Sequence, residues 1–111
     1  MADNYIDVSD QDFAEKILNE PQLILVNFSS DNSGACKIQD PEFVAVSKEF
    51  SGRVMFARLN TDNNSETISE WKIEGIPTII FFKGGREINR INGIIMRERL
   101  RRTISGALLA N

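Results

Sequence analysis

The one cysteine of the chain is the residue best suited to covalent chemistry, and it ends the stretch Ser33-Gly34-Ala35-Cys36. The apolar spacing after this small-residue turn predicts a helix that begins at Ser33. A thiol near a helix N-terminus experiences the positive end of the helix dipole, which favours the thiolate. With Ser33 as the N-cap, however, Cys36 lies inside the first turn, where a side chain turns inward more readily. A reactive thiol and a half-buried structural cysteine are both consistent with this pattern.

The absence of histidine excludes several other kinds of chemistry. Ser-His and Cys-His nucleophile pairs and most zinc sites need that residue, so we expect no metal and no cofactor. A single cysteine cannot form an internal disulfide, and the fold therefore does not need an oxidising compartment. The formal net charge of −3 favours no nucleic-acid partner.

Two further groups of residues attract attention. A proline stands directly before an apolar strand in Gly75-Ile76-Pro77. Pattern alone favours a trans bond there, because only about 5–6% of X–Pro bonds are cis. Asn27 interrupts an apolar run, and Arg58 occupies a similar place on the next strand. Because a buried polar group needs partners, this pair predicts either a satisfied core amide beside a snorkelling arginine or a functional polar site.

Eight elements are predicted to position these residues, in the order α, β, α, β, α, β, β, α. Ser9 and Asp12 form a capping box at the start of the first helix, and Ser33 starts the second. Apolar residues four positions apart define the last helix. Short apolar runs, the last two separated by Gly84-Gly85, are typical of strands at 23–28, 54–60, 78–83 and 87–91.

This order predicts an α/β fold in which a central mixed β-sheet is flanked by helices on both faces. The length suggests one domain, residues 1–111. The N-terminal residues lack the features of a signal peptide, and no apolar run is long enough to span a bilayer. We therefore expect a cytoplasmic protein with no membrane partner.

The residues resemble the thioredoxin family over nearly the whole chain. The family has an active-site turn of the form Trp-Cys-Gly-Pro-Cys-Lys, which corresponds to 32–37, and Pro41 matches its helix-kinking proline. The stretch 58–62 resembles a family strand end, and Gly75-Ile76-Pro77 resembles its cis-proline loop. The resemblance implies a thioredoxin fold, a cis bond before Pro77 and a groove that takes an extended peptide. The groove residues it implies are Asn32, Ser33, Gly34, Ala35, Cys36, Gly75, Ile76, Pro77, Gly93 and Ile94.

The departures from the family pattern bear directly on function. Ser33 stands at the position of the attacking thiol, and an unassisted serine hydroxyl is scarcely ionised at neutral pH. Asn27 stands at the position of the buried aspartate that helps to move protons, and an amide cannot take up a proton. Arg58 replaces the lysine that faces that aspartate. The remaining replacements are Ser29 and Asn32 for the two tryptophans and Ala35 for the motif proline.

The start of the last helix also departs from the family, which has a Ser or Thr cap there. Ile94-Ile95-Met96 precedes the helix in this chain. Losing a cap costs about 0.5–2 kcal/mol. The apolar side chains near the groove predict a hydrophobic contact patch that contains Ile94 and Ile95.

Disulfide reduction by this family needs one thiol to attack and a second to resolve the mixed disulfide. The chain retains only the second position, so dithiol reductase turnover is not expected. We expect a thioredoxin-like protein of the redox homeostasis class that binds an extended peptide or protein in the groove beside Cys36 and Pro77. Monothiol disulfide exchange or glutathionylation through Cys36, a disulfide-linked dimer through it, and residual oxidoreductase activity are the alternatives. Whether the chain is an enzyme stays open at this point.

Overall fold

In the computed structural model, which describes residues 4–110, one five-stranded sheet lies between two layers of helices. The strands are β1 (Ile6–Val8), β2 (Ile24–Ser29), β3 (Met55–Asn60), β4 (Thr78–Lys83) and β5 (Arg86–Asn92). The helical elements are a π-helical turn (Ala14–Leu18), α1 (Gly34–Glu49), α2 (Ser65–Glu70) and α3 (Arg97–Ala110). The strand order is β1-β3-β2-β4-β5, parallel among β1, β3 and β2 and antiparallel at β4 and β5. The predicted α/β class with a mixed sheet is confirmed.

β2 lies in the middle of the sheet, and all six of its residues are buried. A continuous apolar run of this kind is typical of a strand covered on both faces. Asn27 of β2 is the register partner of Arg58 in β3, and Phe28 is that of Thr78 in β4. Thr78 in turn pairs with Asn92 of β5. The loops that follow β2 and β5 and the loop that precedes β4 therefore meet at one end of the sheet.

Two apolar clusters join the sheet to its helices. On one face, α1 and α3 contribute Phe43 and Leu100 to the first cluster. On the other face, Ile17 of the π-helical turn and Trp71, which follows α2, pack with Phe82 of β4. The rings of Trp71 and Phe82 meet edge to face with centroids 4.9 Å apart, a favourable arrangement for aromatic pairs. Helices therefore cover both faces of the sheet, as predicted.

The N-terminal region differs from the prediction in two respects. The predicted order omits β1, because a three-residue strand is too short to give a periodic signal; it forms by pairing Ile6 with Ala57 of β3. The first helix is a π-helical turn of five residues rather than a regular helix that starts at Ser9. The expected capping-box contact is nevertheless present, since the Ser9 N–H donates to Asp12 Oδ1 at 2.7 Å.

The hairpin between β4 and β5 depends on its two glycines. Gly84 and Gly85 have φ angles of +59° and +82°, a region that residues with a side chain rarely adopt. A Cβ on Gly85 would also lie 2.7 Å from the backbone oxygen of Leu18. The predicted two-residue turn is confirmed, and close packing of the hairpin against the π-helical turn gives Gly85 a second reason to be glycine.

Candidate functional site

Ser33 and Cys36 form the first turn of α1 as the sequence predicts. Ser33 is the N-cap, and its Oγ accepts from the Cys36 N–H at 3.2 Å. The cysteine side chain is 0% exposed, which is deeper than the half-burial expected. Its Sγ accepts from the Ser30 N–H at 3.5 Å. The sulfur therefore lies beneath the turn that follows β2, with a backbone amide directed at it.

The loop before β4 and the loop after β5 are joined by a backbone hydrogen bond. The Ile76–Pro77 peptide bond is cis, and the carbonyl of Pro77 accepts from the Gly93 N–H at 2.9 Å. The Thr78 hydroxyl donates to the Gly75 carbonyl at 2.6 Å, which holds the loop against the start of β4. Because the turn after β2 lies at the same end of the sheet, these segments form one surface, for which we keep the name groove that the resemblance implies.

The predicted groove residues differ in how far they reach the surface. Pro77 is buried, and Ile76 is half-buried. Ser33 and Ala35 are also half-buried, while Cys36 lies beneath the surface. The residues that are exposed are Asn32, Gly34, Gly75, Gly93 and Ile94. Backbone and small side chains thus make up much of the groove, whereas its one sulfur is covered.

Two side chains of α1 hold the segment that leads from the groove into α3. The buried amide of Gln39 donates to the Ile95 carbonyl at 3.0 Å and accepts from the Ile95 N–H at 2.7 Å. One turn later, Glu42 Oε1 accepts from the Arg97 N–H at 2.7 Å and Glu42 Oε2 from the Arg97 guanidinium at 3.0 Å. These four bonds fix residues 95–97 to α1.

The contacts of Glu42 correct the expectation that α3 lacks a cap. Its carboxylate satisfies the first N–H of the helix from a neighbouring element, in place of a local Ser or Thr. The hydrogen bonds from the Arg97 side chain, and then from its N–H, hold the pKa of Glu42 below its usual range. The predicted hydrophobic patch is correct only in part, because Ile94 is exposed whereas Ile95 is buried in the first apolar cluster.

A polar network lies next to the groove, and Asp40 of α1 is at its centre. Its Oδ1 accepts from Asn27 Nδ2 and from Ser29 Oγ, each at 2.9 Å, and its Oδ2 lies 3.3 Å from Arg58 Nη2. Arg58 also donates to Ser29 Oγ at 3.2 Å and to Asp31 Oδ1 at 2.9 Å. Asn27 and Arg58 are thus linked through Asp40, and they are not the self-contained pair that the sequence suggested.

Asn27 keeps one unsatisfied atom in this network. Its Oδ1 is buried and has no hydrogen-bond partner within the described part of the chain. The Asp40 side chain is 30% exposed and that of Arg58 14% exposed, so the charged pair reaches solvent while the amide does not. Sequence reasoning missed Asp40. The available signal was its place four residues after Cys36 on a predicted helix, which puts the two side chains on one side of α1.

A family model described as thioredoxin matches residues 4–106. The chain belongs to the thioredoxin family. A thioredoxin from Synechocystis sp. is 34% identical over 97 residues, which cover 87% of this chain and 91% of that protein. Thioredoxin M4, chloroplastic, from Arabidopsis thaliana is 33% identical over 102 residues and 92% of this chain, but over 53% of its own length. A thioredoxin from Allochromatium vinosum is 34% identical over 84 residues, with 76% of this chain and 78% of that protein covered.

Asp40 supplies a carboxylate at a place that the resemblance did not imply. The resemblance put Asn27 at the strand position of the family's buried aspartate, and in this chain the carboxylate that approaches Arg58 comes from Asp40 on α1. An acidic group therefore still faces the cation of β3, but from the helix side. The only sulfur that could exchange electrons is Cys36, with a hydroxyl at the position of its partner.

Neither a metal-binding cluster nor a membrane-spanning helix is found within residues 4–110. No group of three or more His, Cys, Asp or Glu side chains there is arranged to hold a metal ion. None of the helices in that range has the length and apolar content needed to cross a bilayer.

Proposed function

We propose that this thioredoxin-family chain binds an extended segment of a peptide or protein in the groove and does not turn over as a dithiol reductase. The observation that carries the proposal is the state of its sulfur: Cys36 is the only cysteine, it is 0% exposed, and Ser33 stands three residues before it. Reduction of a disulfide requires a first thiolate to attack and a second to release the product. A single covered thiol supplies neither step efficiently.

The backbone of the groove supports strand-like binding. Within residues 4–110, neither the N–H nor the carbonyl of Ile76 has a hydrogen-bond partner. An extended peptide can pair with such free backbone groups, as in other cases of strand addition. The exposed Gly75 and Gly93 on either side present no side chain that would keep a ligand backbone away. The proposal therefore divides the affinity between backbone pairing and the apolar side chain of Ile76, and it assigns specificity to the other side chains around the groove.

Peptides selected from a phage-displayed random library provide the test. We expect Cys36→Ala to keep the affinity of a selected peptide within about twofold, because the sulfur is not at the surface. Ile76→Ser is expected to weaken binding about tenfold, a typical loss for an apolar anchor at an interface. Leu109→Ser, a comparable change at the far end of α3, is the control and should have no effect. Fluorescence anisotropy measures the affinity of the selected peptide for the wild-type chain and for the three variants.

A large loss of affinity in Cys36→Ala, with Ile76→Ser unchanged, would contradict this proposal. It would favour the second candidate, monothiol exchange or glutathionylation through Cys36. The position of the thiol in the first turn of a helix supports that candidate, and its burial opposes it.

The reactivity of Cys36 separates the two candidates directly. If the thiol is structural, its reaction with a chromogenic disulfide at neutral pH should be about a hundredfold slower in the folded chain than in urea, because the reagent must await local opening. A rate equal to that of the unfolded chain would overturn the binding proposal in favour of monothiol chemistry. A role in redox homeostasis and a cytoplasmic location stay predictions; two of the relatives matched carry the word chloroplastic in their names.

A further inference from the structure

Large apolar side chains are concentrated on one side of the groove. Five are exposed within residues 4–110, and three of these belong to the start of α1 and the approach to α3: Ile38 at 52%, Ile94 at 40% and Met96 at 51%. We call these three residues the α1–α3 patch. Surface apolar residues scattered singly need no explanation, but a cluster beside a binding groove indicates a contact surface.

The structure holds the members of the patch in fixed relation to each other. Ile38 is the neighbour of Gln39, whose amide forms both of its hydrogen bonds with Ile95. Ile94 and Met96 flank Ile95, and the adjacent Arg97 is bound by Glu42. Because Ile38 and Glu42 lie one turn apart on α1, the segment 94–97 runs along the same side of that helix. A partner would therefore meet a pre-formed surface.

Positive charge without a counter-ion borders the patch, although the chain as a whole carries a net charge of −3. Arg97 and Arg101 are bound to Glu42 and Glu49. Arg99, by contrast, forms no ion pair with any residue between 4 and 110, and neither does Lys37, the residue before Ile38; both are exposed. Arg99 lies three positions after Met96, on the same side of the helix start.

The opposite side of the groove carries negative charge. Asp62 accepts hydrogen bonds from Ser30 and Asn32 but forms no salt bridge with a described residue. Glu74, in the loop before Pro77, is also exposed and has no salt bridge in that part of the chain. Asp62 thus contributes negative charge beside the turn that follows β2, whereas Lys37 and Arg99 contribute positive charge beside the α1–α3 patch. The charge of Glu74 is partly offset by Arg90, which interacts with it, and the exposed Lys72 lies two residues before it.

We propose that the groove receives a segment of a partner protein in which apolar residues, which cover the α1–α3 patch, are followed or preceded by acidic residues that face Lys37 and Arg99. This inference rests on the proposed function and adds the chemistry of the partner to it. Apolar burial adds to the affinity that backbone pairing supplies, and complementary charge determines which part of the bound segment lies beside Lys37 and Arg99. An acidic stretch on the other side of the groove would meet Asp62 and Glu74 instead.

Two fluorescein-labelled peptides test the inference. They share a leucine-rich half and differ in the other half, which is glutamate-rich in one and lysine-rich in the other. We expect the glutamate peptide to bind at least about tenfold more tightly at low ionic strength, and the difference to shrink as salt is added. The double variant Lys37→Glu/Arg99→Glu should abolish the preference, and Ile38→Ser/Met96→Ser should weaken the binding of both peptides.

A matched variant controls for net charge. Lys83→Glu/Arg86→Glu makes the same change of charge at the hairpin of β4 and β5, and it should keep the preference for the glutamate peptide. Equal affinities, a preference that survives Lys37→Glu/Arg99→Glu, or no binding of either peptide would each overturn the inference. A dimer of the chain would also overturn the inference if sedimentation detects it and Ile38→Ser/Met96→Ser disrupts it, because a second copy of the chain would then cover the patch. The proposed function fails separately, when Ile76→Ser does not affect a library-selected peptide.

Discussion

Insulin disulfides should be reduced by dithiothreitol at the uncatalysed rate in the presence of the wild-type chain, and much faster in the presence of Ser33→Cys. The substituted thiol would stand at the N-cap of the 16-residue helix α1, half-buried and three residues before Cys36. Lowering a thiol pKa from about 8.5 to about 7 raises its thiolate fraction at pH 7 from about 3% to about 50%, roughly fifteenfold. We therefore expect the variant to exceed the wild-type rate by at least about tenfold in the turbidity assay.

Two variants isolate the reason for this gain. Ser33→Ala removes the hydroxyl and its cap without adding sulfur, and it should remain inactive. Ser33→Cys/Cys36→Ala supplies an attacking thiol that nothing can resolve, so we expect it to form a stable mixed disulfide and not to turn over. Acceleration by the wild-type chain equal to that of Ser33→Cys would show that the hydroxyl at this position does not prevent reductase activity.

Asp40→Ala should lower the free energy of unfolding by about 2–3 kcal/mol, and adding Asn27→Asp should restore most of that loss. The first change removes the acceptor of Asn27 and Ser29 and one partner of Arg58. Breaking a fully buried ion pair costs about 3–5 kcal/mol; the expected cost is smaller here because Asp40 is partly exposed and Arg58 keeps Asp31. Asn27→Asp then returns a carboxylate to the strand, where Arg58 is its register partner.

The double-mutant cycle tests whether the carboxylate of Asp40 and a carboxylate at position 27 can replace each other or whether the two positions act independently. Asn27→Asp alone places two carboxylates in contact and should destabilise the chain, so the coupling between the two positions should reach about 2–3 kcal/mol. Urea denaturation followed by Trp71 fluorescence and by circular dichroism provides the free energies. Asn27→Asp combined with Glu15→Ala, an exposed residue of the π-helical turn with no contact to Arg58, is the matched control and should be additive. Additivity between positions 27 and 40 would contradict the interpretation.

The parts of the fold that depend on residues close together in the sequence could be predicted from the sequence alone. Ser33 caps α1 because the acceptor and the N–H it binds are three residues apart, and a local pattern is enough to place them. β4 follows the predicted range of 78–83 because its apolar run is bounded by a proline and two glycines. The resemblance added what a pattern could not supply, namely that the loops of Pro77 and Gly93 belong to one surface.

The missed residues act across long separations in the chain. Gln39 binds Ile95 over 56 residues and Glu42 binds Arg97 over 55. Asp40 meets Asn27 at 13 residues and Arg58 at 18, through contacts that depend on how α1 is placed over the sheet. No periodicity in a single sequence reports such placement, so a polar residue on a predicted helix is read as a solvated one. The lack of a local Ser or Thr cap on α3 could be recognised from the sequence, but the cap that Glu42 supplies from α1 could not.

The paired hydrogen bonds of Gln39 make one helix the support for two parts of the groove. The amide side chain binds both backbone groups of Ile95 as a neighbouring strand would, and Cys36 lies three residues before it on the same helix. The Ile94 side of the groove and the turn that contains the sulfur are therefore anchored to a single element, so a change that displaces the start of α1 would disturb both at once.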